Sequence, residues 1–224
     1  MEFLTQIING LSQGSIFALV ALGYSMVYGI TQLINFAHGD IIMVGAYATY
    51  VMLILAGTPL WAAILAAVLF CAIVGVVIEQ VAYQRLLNKN APRISLLITA
   101  IGVSMLLQNL FQLIFKSDAK SVSNVLPSFP IPIGPLEISS VTLITIATSV
   151  VIMVLLQILV KKTRIGKAMR ATSEDAGAAK LMGISSRNTI AFTFAVGSGL
   201  AAVGAVLYSA LTRRSHRTWE ACLA

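Results

Sequence analysis

Apolar residues run through this chain in long stretches, at roughly 7–30, 40–57, 60–83, 94–115, 139–160 and 190–211, separated by short polar links. A helix needs about 20 mainly apolar residues to cross a hydrocarbon core about 30 Å thick. The pattern therefore predicts an all-α fold, a polytopic transmembrane helix bundle of about six spans. The second stretch is the shortest, which predicts a tilted or partly re-entrant helix. The first is longer than the apolar core of a secretory signal and is not preceded by basic residues, so it reads as a retained span.

Composition agrees with lipid as the solvent: of 224 residues 58% are hydrophobic and 10% charged, against about 25% charged in an ordinary soluble domain. The net charge of +7 does not point to nucleic acid, because the basic residues sit between the apolar runs and form no stripe beside stacking aromatics. Cys71, inside an apolar run, and Cys222, near the end, offer neither metal-ligand spacing nor a disulfide framework.

The basic residues instead set orientation, since short loops rich in Lys and Arg stay on the cytoplasmic side. The first 84 residues contain none; the 84–93 link carries Arg85, Lys89 and Arg93, and the 161–189 link carries Lys161, Lys162, Arg164, Lys167, Arg170, Lys180 and Arg187. Both links are expected inside. The 116–138 link holds Lys116 and Lys120 against Asp118 and Glu137, with Pro127, Pro130, Pro132 and Pro135, and is expected outside. The N-terminus then lies outside, the 31–39 turn inside and the Gly57-Thr58-Pro59 turn outside. The one departure is Arg213, Arg214 and Arg217, which follow the last span on the outer side.

Small residues recur four apart in the first span (Gly10, Gly14, Ala18) and the last (Gly197, Ala201, Ala205, Ser209). That spacing lets helices approach closely in lipid, and predicts that both helices are buried in the bundle. Asn9, Ser12, Gln13 and Ser15 make one end of the first span polar, as an aqueous vestibule or an interfacial turn would. Between the first two spans, Asn35, His38, Gly39 and Asp40 combine hydrogen-bonding groups with a glycine beside the membrane. Polar and ionisable groups at membrane depth are functional candidates, so these four and Gln13 are the expected translocation path or gate; at the membrane boundary, His38 and Asp40 would only cap or anchor the second helix. In the 161–189 link, Thr172 or Ser173 is read as the cap of a short helix whose first turn holds Glu174 and Asp175. Gly183 ends that helix, leaving Leu181, Met182 and Ile184 free to enter a partner's groove. No Gly-rich, Lys-Ser/Thr-ended phosphate loop, Ser-His-Asp set or metal cluster occurs in the sequence. Any ATP chemistry must belong to a partner.

The runs Ile8 to Ser15, Ala21 to Ile30, Asn35-Phe36-Ala37-His38-Gly39, Gly45-Ala46-Tyr47, Gly166 to Ala171 and Ala178 to Ile184 resemble the inner-membrane permeases of branched-chain amino acid ABC transporters, LivH type. The resemblance covers nearly all of residues 1–212, a permease transmembrane domain with the 161–189 coupling loop inside it. It implies a non-enzymatic transport subunit with no cofactor of its own. It also implies pairing with a second permease subunit and two cytoplasmic ATPase subunits that bind ATP, while a periplasmic substrate-binding protein delivers leucine, isoleucine or valine. The cytoplasmic helix then looks like an ABC-importer coupling helix: Arg170, Ala171, Ala178, Ala179, Leu181, Met182 and Gly183 fall in it, with Gly177 where the family pattern has Glu.

The resemblance implies further spans beyond Thr212, whereas residues 213–224 read as an atypical tail. One back-translation of residues 216–224, read two bases later, gives a segment similar to the family's continuation, so a frameshift is the expected origin. An ion-coupled secondary transporter, a channel, a non-functional truncated permease, and a urea or amide substrate are the alternatives the sequence leaves open. The near absence of charge inside the spans disfavours ion coupling.

Overall fold

The computed structural model describes residues 2–32, 34–89, 91–116, 130–133 and 136–222. Asp118, Lys120, Pro127 and Pro135 of the expected outer link lie outside the described residues, as do the side chains of Arg213, Arg214 and Arg217. Helix α1 (Glu2–Thr31) is followed by α2 (His38–Tyr50), which continues through a π-helical turn at Val51–Leu55. Gly57, in the left-handed region at φ 61°, and extended Pro59 then reverse the chain into α3 (Leu60–Ile78). A second π turn, Glu79–Tyr83, joins α3 to the short α4 (Gln84–Asn88). After Pro92 come α5 (Arg93–Phe115), a hairpin of β1 (Pro130–Ile133) and β2 (Leu136–Ser139), α6 (Ser140–Lys162), α7 (Arg164–Glu174), α8 (Ala176–Leu181) and α9 (Ser186–Cys222).

Six of these helical segments are long and apolar enough to cross a membrane: Gln6–Thr31, His38–Leu55, Leu60–Leu87, Ile94–Phe115, Ser140–Lys162 and Ser186–Leu211. They match the six apolar stretches to within a few residues, and the protein is a multi-pass membrane protein. The hairpin was not anticipated. Its antiparallel pairing, Pro130 with Ser139 and Ile133 with Leu136, tolerates Pro130 and Pro132 because a two-stranded ribbon has only edge strands.

Helix α9 is the axis of the bundle: 67% of its apolar segment is buried, against at most 33% for any other span. Lipid gives apolar helices no hydrophobic reason to associate, so close packing of small residues must hold them. Three neighbours each bring a glycine to α9. A methyl added at Gly23 of α1 would lie 3.0 Å from the Gly197 carbonyl, and one at Gly45 of α2 would lie 2.9 Å from Ala202 Cα; at Gly75 of α3 it would collide with Ser198. The expected stripe on α9 is therefore in use, with Gly197, Ala201 and Ala205 buried and Ser209 half-buried.

The matching expectation for α1 fails. Gly10 and Gly14 are exposed with open space beside them, and Ala18 is half-buried. At 100° per residue their face is rotated away from the one α1 uses, which runs through Ser12, Ile16, Leu19, Gly23 and Val27, all buried.

Gly75→Val is expected to force α3 off α9 and destabilise the isolated protein by about 1–3 kcal/mol, read as a lower unfolding midpoint in detergent, while Gly14→Ala leaves the midpoint within about 1 kcal/mol of the parent. Equal effects of the two substitutions would contradict this packing.

Candidate functional site

Helix α1 ends at Thr31, Gln32 takes a left-handed backbone at φ 51°, and residues 34–37 are non-helical before α2 begins at His38. Three contacts fix how deep α2 then begins. The His38 ring meets Tyr24 of α1 edge-on, centroids 5.6 Å apart. Gln108 Nε2 of α5 donates to Asp40 Oδ1 at 2.8 Å, and the Cys71 thiol of α3 donates to the Ile41 carbonyl at 3.8 Å. Tyr24 lies seven residues before Thr31, Gln108 fourteen after Ile94, and Cys71 sixteen before Leu87, the span ends on this side of the bundle. At 1.5 Å per residue these positions are about 10, 21 and 24 Å from those ends. Helix α2 thus starts inside the bundle, not at the boundary position at which His38 and Asp40 would only cap or anchor it. Hydropathy measures how long a stretch is and carries no information on the depth at which it begins.

The residues at this start form a polar knot. Asn35 Oδ1 accepts from the Ala37 amide at 3.1 Å and from the Tyr83 hydroxyl at 2.9 Å, while Asn35 Nδ2 is buried with no hydrogen-bond partner. His38 Nε2 is likewise buried and unpartnered. Asp40 is buried and faces Gln108, which also donates to Ser104 Oγ at 3.3 Å. Gly39 is exposed at the rim. Gln13 stands apart: it is exposed on α1, eleven residues before Tyr24, about 16 Å along the helix. Tyr83 and Gln108 were not picked out from sequence, although a glutamine midway along an apolar run was the available signal. The π turn at 79–83 holds both Tyr83 and Glu79 in buried positions; π turns of this kind recur at functional sites.

The α6–α9 connection is built from two capped helices. Thr163 accepts from the Gly166 amide at 3.0 Å and opens α7; Asp175 accepts from the amides of Gly177 at 2.7 Å and Ala178 at 3.0 Å and opens α8. The expected cap at Thr172 or Ser173 is therefore corrected. Both hydroxyls bond back into α7, to the carbonyls of Ala168 and Arg170, and Glu174 closes α7 instead of opening the next helix. Gly183, at φ 81°, does end α8. Of the candidate coupling residues, Leu181 and Met182 are 90% and 83% exposed at the tip, with Ala178 and Gly183 exposed beside them. Ala179 is buried, Ala171 is half-buried, and exposed Arg170 donates to the Lys161 carbonyl at 3.4 Å. Gly166 is packed against the carbonyls of Leu159 and Val160, leaving no room for a side chain. That contact ties α7 to the end of α6.

The family described as the permease component of branched-chain amino acid transport systems matches residues 6–218. The chain is 39% identical over 218 residues to the high-affinity branched-chain amino acid transport system permease protein BraD of Pseudomonas aeruginosa, covering 92% of this chain and 70% of the relative. It is 36% identical over 220 residues to the corresponding permease protein LivH of Escherichia coli strain K12, with the same coverage. A probable branched-chain amino acid transport permease protein LivH of Methanocaldococcus jannaschii is 28% identical over 192 residues, 84% of this chain and 61% of that one. No solved structure matches the chain.

Tyr83→Phe removes one donor from Asn35 and is expected to lower stability by about 0.5–1.5 kcal/mol, measured as the unfolding midpoint in detergent. An unchanged midpoint would show that the Tyr83–Asn35 bond does not hold the chain's turn into α2.

Proposed function

The chain belongs to the family of permease components of branched-chain amino acid transport systems, and from that premise we propose that it carries leucine, isoleucine and valine across the bacterial inner membrane as one subunit of an ATP-driven importer. The observation that carries this reading is relatedness to such permeases over 92% of the chain, together with two exposed apolar side chains at the tip of α8. Its partners in this reading are a second permease subunit, two cytoplasmic ATPase subunits and a periplasmic substrate-binding protein. ATP binds on the ATPases, since the sequence has no phosphate-cradling loop.

Orientation in this reading follows charge. Of fifteen Lys and Arg residues, ten fall in the 84–93 and 161–189 links, at the end of the bundle that bears α7 and α8. This end is the cytoplasmic one, and the N-terminus is outside. Leu181 and Met182 then face the ATPases. Closure of the ATPases on ATP moves α8, and α7 passes the movement on through its contacts with α1, α6 and α9. Because α9 is the axis on which α1, α2 and α3 pack, a shift there biases the whole bundle between two arrangements, as a ligand-driven switch requires.

Leu181→Asp and Met182→Asp are expected to strip the ATPases from the purified complex, with ATP-driven leucine uptake in vesicles falling about tenfold or more, while the spans fold normally; apolar anchors in an interface commonly carry losses of about 2 kcal/mol or more. Full co-purification of the ATPases with both variants would contradict the docking role. Cells lacking this gene are expected to lose uptake of labelled leucine, isoleucine and valine, and unchanged uptake of all three would contradict the transport role.

A further inference from the structure

Helix α6 is the least buried of the six spans, with 11% of its apolar segment inside the bundle. Val151, Leu155 and Ile158 are exposed at the i, i+4, i+7 spacing of a single helix face. One turn further along the same face stands Lys162, exposed, where the span ends. An apolar strip thus runs down the bilayer-facing side of α6 onto a cation. We propose that this corner, the foot of α6 with the start of α7, binds an anionic phospholipid, its phosphate held by Lys161, Lys162, Arg164 and Arg170 and one acyl chain lying along Ile158, Leu155 and Val151.

The charge here has no counterweight in the chain. Lys161, Lys162, Arg164, Lys167 and Arg170 fall within ten residues, all of them exposed, and the sequence has no acidic residue between Glu137 and Glu174. The fold concentrates these cations further. Thr163 takes extended backbone between the two helices, and Gly166 packs on the carbonyls of Leu159 and Val160, so the start of α7 lies against the end of α6. On α7, Arg164, Lys167 and Arg170 recur three apart, on the face opposite the buried Gly166, Met169 and Thr172. The Arg170 guanidinium donates to the Lys161 carbonyl at 3.4 Å, which brings that stripe to the two lysines of α6. The negative end of the α6 dipole accounts for Lys161 and Lys162 taken alone, but not for Arg164 and Lys167 in the first turn of α7, where a cation is unfavourable. A phosphate offsets all of them: guanidinium groups bind it with paired N–H donors and lysines as point charges. Clusters of Lys and Arg beside the end of a transmembrane helix draw anionic lipid in this way. Lipid is favoured over an acidic protein because the corner lies at the foot of the most lipid-exposed span, and because Ile165, 45% exposed beside Arg164, adds apolar surface there.

The test places a reporter one turn above the corner, Ile158→Trp, in the protein with its co-purifying subunits. Vesicles are phosphatidylcholine with either a brominated phosphatidylglycerol or a brominated phosphatidylcholine. Emission of the new tryptophan, taken as the difference from the parent, is expected to be quenched at a mole fraction of the anionic lipid about fivefold or more below that of the neutral one, the scale of one basic residue at an anionic surface. Lys161→Gln, Lys162→Gln and Arg164→Gln together are expected to bring the two lipids level, with quenching by the neutral lipid retained. Arg85→Gln with Lys89→Gln, in the other basic link, is expected to leave the preference in place. Equal quenching by the two lipids before these substitutions, or a preference that survives the triple substitution, would overturn the site. So would a preference lost equally with the Arg85 and Lys89 pair, which would show only a diffuse surface potential. Relief of quenching by inorganic phosphate, but not by chloride of equal ionic strength, would assign the corner to a soluble phosphate instead. Equal quenching together with loss of the co-purifying subunits in the triple variant would assign it to a protein partner.

Discussion

Everything in this bundle hangs on the close approach of α9 to three glycines, Gly23, Gly45 and Gly75, one from each of α1, α2 and α3. In water the burial of apolar side chains would hold such helices together; in lipid the same side chains are as well solvated outside as inside. What remains is surface fit, and surface fit between helices improves when backbones can touch. The α9 sequence supplies Gly197, Ser198, Ala201, Ala202 and Ala205 in the buried face that meets them. A bundle fixed this way can place polar groups in its interior, because its stability does not depend on an unbroken apolar core.

That freedom is used at the start of α2. Gly45 seats α2 against Ala202 and so sets how far its first turn reaches into the bundle. At the far end of α1 Gln32 N–H still bonds the Tyr28 carbonyl as in a helix, and the turn into α2 is held by His38 N–H on the Asn35 carbonyl and Ala37 N–H on the Asn35 side chain. Irregular backbone at such depth is tolerated where it is buried in protein or lines a cavity, and here Asn35 and Ala37 are buried. Asn35 Nδ2 and His38 Nε2 are left buried and unpaired there. At the opposite end of the same mechanical chain, Gly166 locks α7 to α6 and the two caps, Thr163 and Asp175, hold α8 out with its apolar tip exposed.

The spans themselves were legible because each is a long apolar run bounded by Pro, Gly or charge, and hydropathy reads length well. The polar residues of the site were legible too: Asn35, His38 and Asp40 stand out in an apolar setting. Their depth was not, since it is set by the register of α2 on α9, a tertiary fact that no local pattern encodes. The same limit explains Gly10 and Gly14, whose spacing is right for packing but whose face of α1 is not the one that meets α9. It explains the misplaced cap as well. Thr172, Ser173 and Asp175 are all good cap residues, and only the position of the break between α7 and α8 decides that Asp175 takes the role.

The account's central claim is that the space between α1 and the start of α2 lies on the water-accessible path. Its most direct test is the reactivity of Ala21→Cys, at an exposed position on α1 beside Asn35 and His38, in the assembled importer, with Cys71 buried and Cys222 replaced by Ser. The account predicts that a membrane-impermeant thiol reagent labels this cysteine at a rate that changes when ATP is added and falls when leucine is present. Labelling only by a lipid-soluble reagent, at a rate indifferent to ATP and leucine, would place this face in the bilayer and contradict it.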